Sequence, residues 1–255
     1  MLAVFKREFL SYFRSPVGYV AIALFSFLSG YIFINNFTTG SVNIASEVIS
    51  LRSFFVVIVP IITMGLFAED KKRGTEILYY TTPIDLFAVV MGKFLAAFAL
   101  YGIMFVNVFI HMIVTKACNG IVDIGAWGSV IVFFFLAALF ISIGILASAI
   151  TDSQIISAIF CFIMILVIQL LSTISSLIGS TIGAFLSVLG VKAETSNAVG
   201  EAIINGINWL DPFTKTADFR YGVFSVAPLI FCISFAIVFL FLTFRILEKK
   251  RWSNG

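Results

Sequence analysis

Read for its alternation of greasy and polar positions, the chain is a series of long charge-free apolar runs joined by short polar stretches. Six runs stand out, at about 17–35, 51–68, 88–115, 128–150, 154–178 and 223–246. Each is close to or longer than the ~20 residues that cross a hydrocarbon core as a helix. Backbone groups in lipid must bond within a helix or a closed barrel, and no alternating ten-residue strand pattern occurs. The pattern predicts an all-α polytopic membrane protein, with six transmembrane helices in one domain spanning 1–255.

Finer patterning sits at the edges of these runs. Leu2, Phe5, Phe9 and Phe13 recur at helical spacing while Lys6, Arg7 and Arg14 fall outside that stripe, which predicts an N-terminal helix over 1–16 lying in the membrane interface. Ser15-Pro16 then supplies an N-cap and a first-turn proline for span one, which is read as retained rather than as a cleaved signal. Pro60 is expected to bend span two, as a matter of shape. No charge occurs from Gln154 to Gly190, too long a stretch for one ordinary span. The expectation is a span ending near Ile178, then a re-entrant or interfacial piece with Gly179 and Gly183 as a close-packing pair, within an external segment 179–222. In that segment Val199, Ile203, Ile204 and Ile207 lead to Trp209 at the spacing of an amphipathic helix.

Composition supports this picture and adds orientation. The 255 residues are 61% hydrophobic and 11% charged, against about 45–50% and about 25% in soluble domains, which leaves no room for a separate soluble unit. With the N-terminus inside, eleven lysines and arginines fall on the cytoplasmic side, and five (Arg52, Lys116, Lys192, Lys215, Arg220) on the other. By the positive-inside bias both termini are cytoplasmic. Cys118, Cys161 and Cys232 are scattered and suggest neither a disulfide framework nor a zinc site.

Candidate chemistry is sparse. There is no GxSxG, HExxH or phosphate-binding GxxxxGK[ST] sequence, and no acid pair on one face of a span. No ionisable group of the kind that serves ion coupling is expected within the spans; His111 reads as a structural hydrogen-bonding residue, and Gln169 as a bond to a neighbouring helix. The chain is therefore not expected to be an enzyme or to bind a cofactor or metal. Any uphill movement must draw energy from another subunit.

One polar interruption departs from this economy. "AEDKKRGTEILYYTTPIDLFAVVMGK", residues 68–93, gathers six charges between Glu69 and Glu76. Thr82-Pro83-Ile84-Asp85 reads as a capping box with proline at the first helical position, restarting a helix toward span three. The order E-D-K-K-R-G-T-E-x-L, then T-P and G-K, resembles the first cytoplasmic loop of ABC-2-type permeases, the six-span membrane subunits of a class of ATP-driven exporters. The basic N-terminal helix and the long segment before span six resemble them too, so the likeness covers nearly the whole chain. "NWLDPF" at 208–213 and "SIGILASAITDSQIIS" at 142–157 are most similar to the gliding-motility and nitrous-oxide-reductase-maturation branch.

The resemblance implies a transmembrane exporter subunit in the bacterial cytoplasmic membrane, moving a hydrophobic or amphipathic substrate. It implies two copies of a partner ATPase holding ATP and Mg, and a second permease copy or a paralogue. A periplasmic partner is a further possibility and nucleic acid is not expected; the rival readings are an ATP-independent channel or structural bundle, and an ABC complex that transmits force to a periplasmic partner. Loop 69–87 would form a cytoplasmic coupling helix docking the ATPase through Glu69, Asp70, Arg73, Gly74, Thr75, Glu76, Leu78 and Tyr79. Its acids would pair with basic groups on the partner, and Tyr79 would serve as an aromatic anchor.

Overall fold

A computed structural model describes residues 1–38, 43–77, 79, 85–118, 120, 122–190 and 193–253, apart from the side chains of Ala193, Glu194, Arg220 and Ser253. Leu78, Tyr80, Thr82, Pro83, Ile84 and Lys192 lie outside the described residues. Twelve α-helices and one 3₁₀ turn are seen among the described residues, and no strand. In order the helices are α1 (Leu2–Arg14), α2 (Pro16–Thr38), α3 (Ile44–Arg52), α4 (Phe55–Thr63), α5 (Ala68–Lys72) and α6 (Leu86–Ala117). There follow α7 (Ile124–Ile150), α8 (Gln154–Gln169), α9 (Leu171–Val188), α10 (Ala193–Asn208), α11 (Pro212–Lys215), the 3₁₀ turn Ala217–Tyr221 and α12 (Val226–Ser253). Five helices (α2, α6, α7, α9, α12) are long and apolar enough to cross a membrane, or up to six if the bent pair formed by α3 and the helix after it is one span.

Helix α7 is the axis of the bundle; Phe133, Phe140, Ile141 and Ile145 on it are almost wholly buried. Lipid tails are as apolar as leucine, so close packing rather than hydrophobic expulsion holds such helices together. Here the packing is aromatic: Phe133 stands 4.7 Å from Phe55 of α4 and 5.1 Å from Phe105 of α6, ring centre to ring centre, and Phe140 stands 5.1 Å from Phe55.

Span two is broken rather than merely curved. Its halves meet at 60°, and the break lies at Ser53–Phe54, seven residues before Pro60. Pro60 sits inside α4, where its ring is accommodated without ending the helix. The carbonyls of Arg52 and Ser53 accept hydrogen bonds from the Gln169 Nε2 amide at 3.2 and 3.1 Å. Gln169 thus bonds a neighbouring element, at the point where its backbone has lost helical partners.

The fifth region also departs from expectation. Its break falls at Leu170 rather than near Ile178, leaving α8 with 16 residues, about 24 Å at 1.5 Å per residue, short of a ~30 Å core. Helices α9 and α10 fold into a hairpin. A Cβ on Gly200 would stand 2.8 Å from the Gly179 carbonyl oxygen, so only glycine lets these backbones meet. The chain then returns into the bundle, where Phe213 stacks 5.5 Å from Phe140, sixteen positions or about 24 Å down α7. Part of the segment expected to be external therefore packs deep between helices.

Candidate functional site

Below α4 the chain leaves the helix at Met64, turns, and re-forms as the five-residue α5. A turn here exposes backbone groups, and side chains from other helices satisfy them. The Ser148 Oγ of α7 accepts from the Phe67 and Ala68 amides at 3.0 and 3.1 Å and donates to the Met64 carbonyl at 3.1 Å. The Tyr12 hydroxyl of α1 donates to the Ile62 carbonyl at 2.5 Å, and Lys93 Nζ of α6 donates to the Leu66 carbonyl. Hydroxyls of two helices and the ammonium of a third thus hold the turn.

The charges converge on Asp70. Lys93, seven residues into α6, is fully buried; its Nζ lies 2.6 Å from Asp70 Oδ2, 3.0 Å from Glu8 Oε1 and 4.9 Å from the centre of the Phe67 ring. The Tyr79 hydroxyl donates to Asp70 Oδ2 at 2.6 Å and accepts from Arg7 at 2.8 Å; Thr75 Oγ1 donates to Asp70 Oδ1 at 3.0 Å. Arg7 also pairs with Glu8 at 2.5 Å and lies 3.6 Å from Asp70. Two cations thus face two carboxylates. Each carboxylate is met by more than one donor, which is what makes buried charge tolerable. Burial, with Lys93 opposing it and Asp70 reinforcing it, raises the Tyr79 phenol above its ordinary value and keeps it a donor.

On the far side of α5, Lys71 Nζ donates to the Ala149 and Thr151 carbonyls at 2.5 and 2.8 Å and lies 3.3 Å from Asp152. This is a cation on the C-terminal end of α7, where helix carbonyls lack partners. Glu76 lies 3.6 Å from Lys250 of α12. The residues 68–77 therefore tie together α1, α6, α7 and α12.

This geometry sorts the expected docking residues. Arg73 (paired with Glu69), Gly74 and Ile77 face outward with Lys72, and Gly74 takes a positive φ of 71° at the turn. Asp70, Thr75 and Tyr79 face inward, so Asp70 is not available to a partner's cation and Tyr79, 4% exposed, is not a surface anchor. Nor is Glu76 turned wholly outward, since it meets Lys250. Asp85 is the N-cap of α6, accepting from the Phe87 amide at 3.0 Å, rather than the acid three places inside a helix begun at Thr82. In α1, Phe5 stacks on Phe9 and Phe9 meets Phe13 edge to face, a row half-buried against the bundle, while Leu2 and Arg14 are exposed. The aromatic stripe faces protein, with Glu8 beside it, because Glu8 and Tyr12 on that face have partners there.

Three groups were not foreseen. Glu8 lies between Arg7 and Phe9, and its place on the apolar face of α1 was the available signal. Lys93 is, from the sequence, an inside charge and the lysine of the G-K that opens span three, with no buried partner indicated. The third is a buried pair: Glu47 of α3, 1% exposed, has Oε1 2.6 Å from His111 Nδ1 of α6 and accepts from the Ser29 hydroxyl of α2 at 2.9 Å. The imidazole stacks on Phe33 at 4.2 Å, and Glu47 Oε2 has no hydrogen-bond partner among the described residues. The spans are thus not free of ionisable groups, and Arg52, counted as external, lies at the break of span two within the bundle.

Residues 2–252 match the family model for ABC-2 family transporter proteins, and the chain belongs to that family. No curated protein matches it. Membership makes it a multi-pass permease subunit whose general partner is an ABC ATPase.

Proposed function

We propose that the chain is the transmembrane subunit of an ATP-driven exporter, with the α5 end in the cytoplasm and residues 68–77 docking a separate ATPase. The observation that carries this reading is the set of bonds from those residues to four spans or their flanking helices: Asp70 to Lys93 and Arg7, Lys71 to the end of α7, and Glu76 to Lys250. A load applied at Arg73, Gly74 and Ile77 reaches α1, α6, α7 and α12 at once, through short charged contacts rather than through flexible loops. The lysine and arginine bias supports the same orientation, with both termini inside.

In this reading the ATPase, present in two copies, holds ATP and Mg, and this chain supplies the lever. A second permease copy or a paralogue completes the path. The cargo is hydrophobic or amphipathic, the setting is the bacterial cytoplasmic membrane, and α1 runs along its inner surface. "SIGILASAITDSQIIS" and "NWLDPF" support placement in the gliding-motility and nitrous-oxide-reductase-maturation branch.

The test is capture of the ATPase from the native host by the tagged chain. Arg73→Glu with Ile77→Asp alters only outward positions and is expected to reduce capture by about tenfold or more while membrane insertion stays normal, since tenfold corresponds to about 1.4 kcal/mol at an interface. Unchanged capture overturns the docking surface; capture of no nucleotide-binding subunit by the unaltered chain overturns the exporter reading.

A further inference from the structure

Between α3, α7 and the re-entering segment 211–221 lies a cavity of about 120 Å³. Most of its walls are apolar (Val48, Val132, Leu136), and the polar side chains that line it are Arg52, Ser129, Thr216 and Tyr221, of which the Thr216 hydroxyl is already given to the Pro212 carbonyl at 2.7 Å. For scale, an apolar cavity of ~150 Å³ admits a benzene ring.

Of these, Arg52 and Ser129 bear on a ligand. The hydroxyls of Thr63, Thr115, Ser142 and Thr243 all bond back to a carbonyl three or four residues earlier in their own helix. Ser129 makes no such bond. It is 5% exposed, its buried Oγ has no hydrogen-bond partner among the described residues, and the residue lines the cavity. An unsatisfied buried hydroxyl is costly and calls for an explanation. Arg52 is a cation at the depth of the broken span, where an ionisable group is expensive and marks a site by default. It is positioned rather than loose: its guanidinium lies 5.0 Å over the Phe213 ring and is attracted by Asp211, whose Oδ1 accepts from the Phe213 amide at 2.8 Å.

We propose that this cavity binds the phosphate head of an amphiphile, with the phosphate between Arg52 and Ser129 and the first methylenes against Val132 and Leu136. Guanidinium and hydroxyl donors match phosphate oxygens, and the apolar walls match a short run of chain. The phosphate could belong to a membrane lipid or to a single-chain molecule, and both present the same chemistry. This goes beyond the exporter reading and needs no ATPase, so ATPase capture and ligand binding fail separately.

The experiment is calorimetric titration of the full chain in maltoside micelles with octyl phosphate, dihexanoyl phosphatidic acid, inorganic phosphate and octyl glucoside. Saturable binding of one phosphate amphiphile per chain is expected, with inorganic phosphate at least tenfold weaker and octyl glucoside silent. Tighter binding of the two-chain probe assigns the head to membrane lipid, and tighter binding of octyl phosphate to a single-chain molecule. Arg52→Gln should weaken binding at least tenfold. Because that change also disturbs the contacts to Phe213 and Asp211, Ser129→Ala is the second variant: it should weaken binding severalfold yet raise the melting temperature of the ligand-free protein, since the orphan hydroxyl is gone. Equal binding of inorganic phosphate, or of octyl glucoside, overturns the proposal. So does a Ser129→Ala chain with unchanged affinity and melting temperature, which would mark the cavity as water-filled only.

Discussion

Two buried charge clusters in this chain are built on opposite plans. At the α5 end, Asp70 is met by Lys93, Tyr79 and Thr75, and Lys93 is shared with Glu8 and the Leu66 carbonyl. Some 27 Å further along α6, at about 1.5 Å per residue, Glu47 and His111 are joined by one contact of 2.6 Å, with Ser29 on the same oxygen and no partner for the other oxygen among the described residues. In the first cluster Lys93 Nζ, Asp70 Oδ2, Glu8 Oε1 and the Tyr79 hydroxyl each make more than one contact, so deleting one group strands several. In the second, one contact does most of the work and part of the desolvation of Glu47 is unreturned. Multiplicity, more than burial, separates a junction that can carry load from a pair that only pins helices together.

The largest break of this contrast is Lys93→Met. It leaves Glu8 and Asp70 without their buried cation and with only the half-exposed Arg7 between them, and removing one partner of a buried ion pair costs about 3–5 kcal/mol. The expected result is a loss of that size in denaturant unfolding of the purified chain, accompanied by loss of ATPase capture. A stability close to that of the unaltered chain would show that the junction is not held by its charges.

A smaller effect is expected at the outlying pair. Glu47→Met leaves His111 and Ser29 without their acceptor and should cost about 1–3 kcal/mol. The double variant Glu47→Met with His111→Leu should recover to within about 1 kcal/mol of the unaltered chain, because replacing a whole buried pair by apolar groups is often neutral. The same unfolding measurement checks both, and additive losses in the double variant would mean that the two residues are not coupled.

The smallest change is Tyr79→Phe, which removes one donor from Asp70 and one acceptor from Arg7 but leaves Lys93 in place. About 1 kcal/mol is expected, the usual net worth of a hydrogen bond. A loss as large as that of Lys93→Met would place the weight of the junction on the phenol rather than on the ion pair.

Much of this could be read along the chain, and the parts that could not share a cause. Apolar runs, the inside bias of lysine and arginine, the proline that begins α2 and the polar segment before α6 are local properties, set by composition over ten or twenty neighbours. They determined an all-helical bundle and the place of its polar element. Which way Asp70 and Tyr79 point is another matter: α5 has five residues, too few for a periodicity to define a face, and the choice is made by Lys93, 23 positions away. Glu47 and His111 are 64 positions apart, each unremarkable alone, and only folding makes them a pair. Likewise no charge, proline or glycine marks the break at Leu170; beside it Gln169 reaches the carbonyls of the bent span, 117 and 116 positions away in sequence. Hydropathy along the chain decides what enters the membrane, whereas the direction and partner of each buried polar group depend on distances between helices, which only the tertiary structure decided.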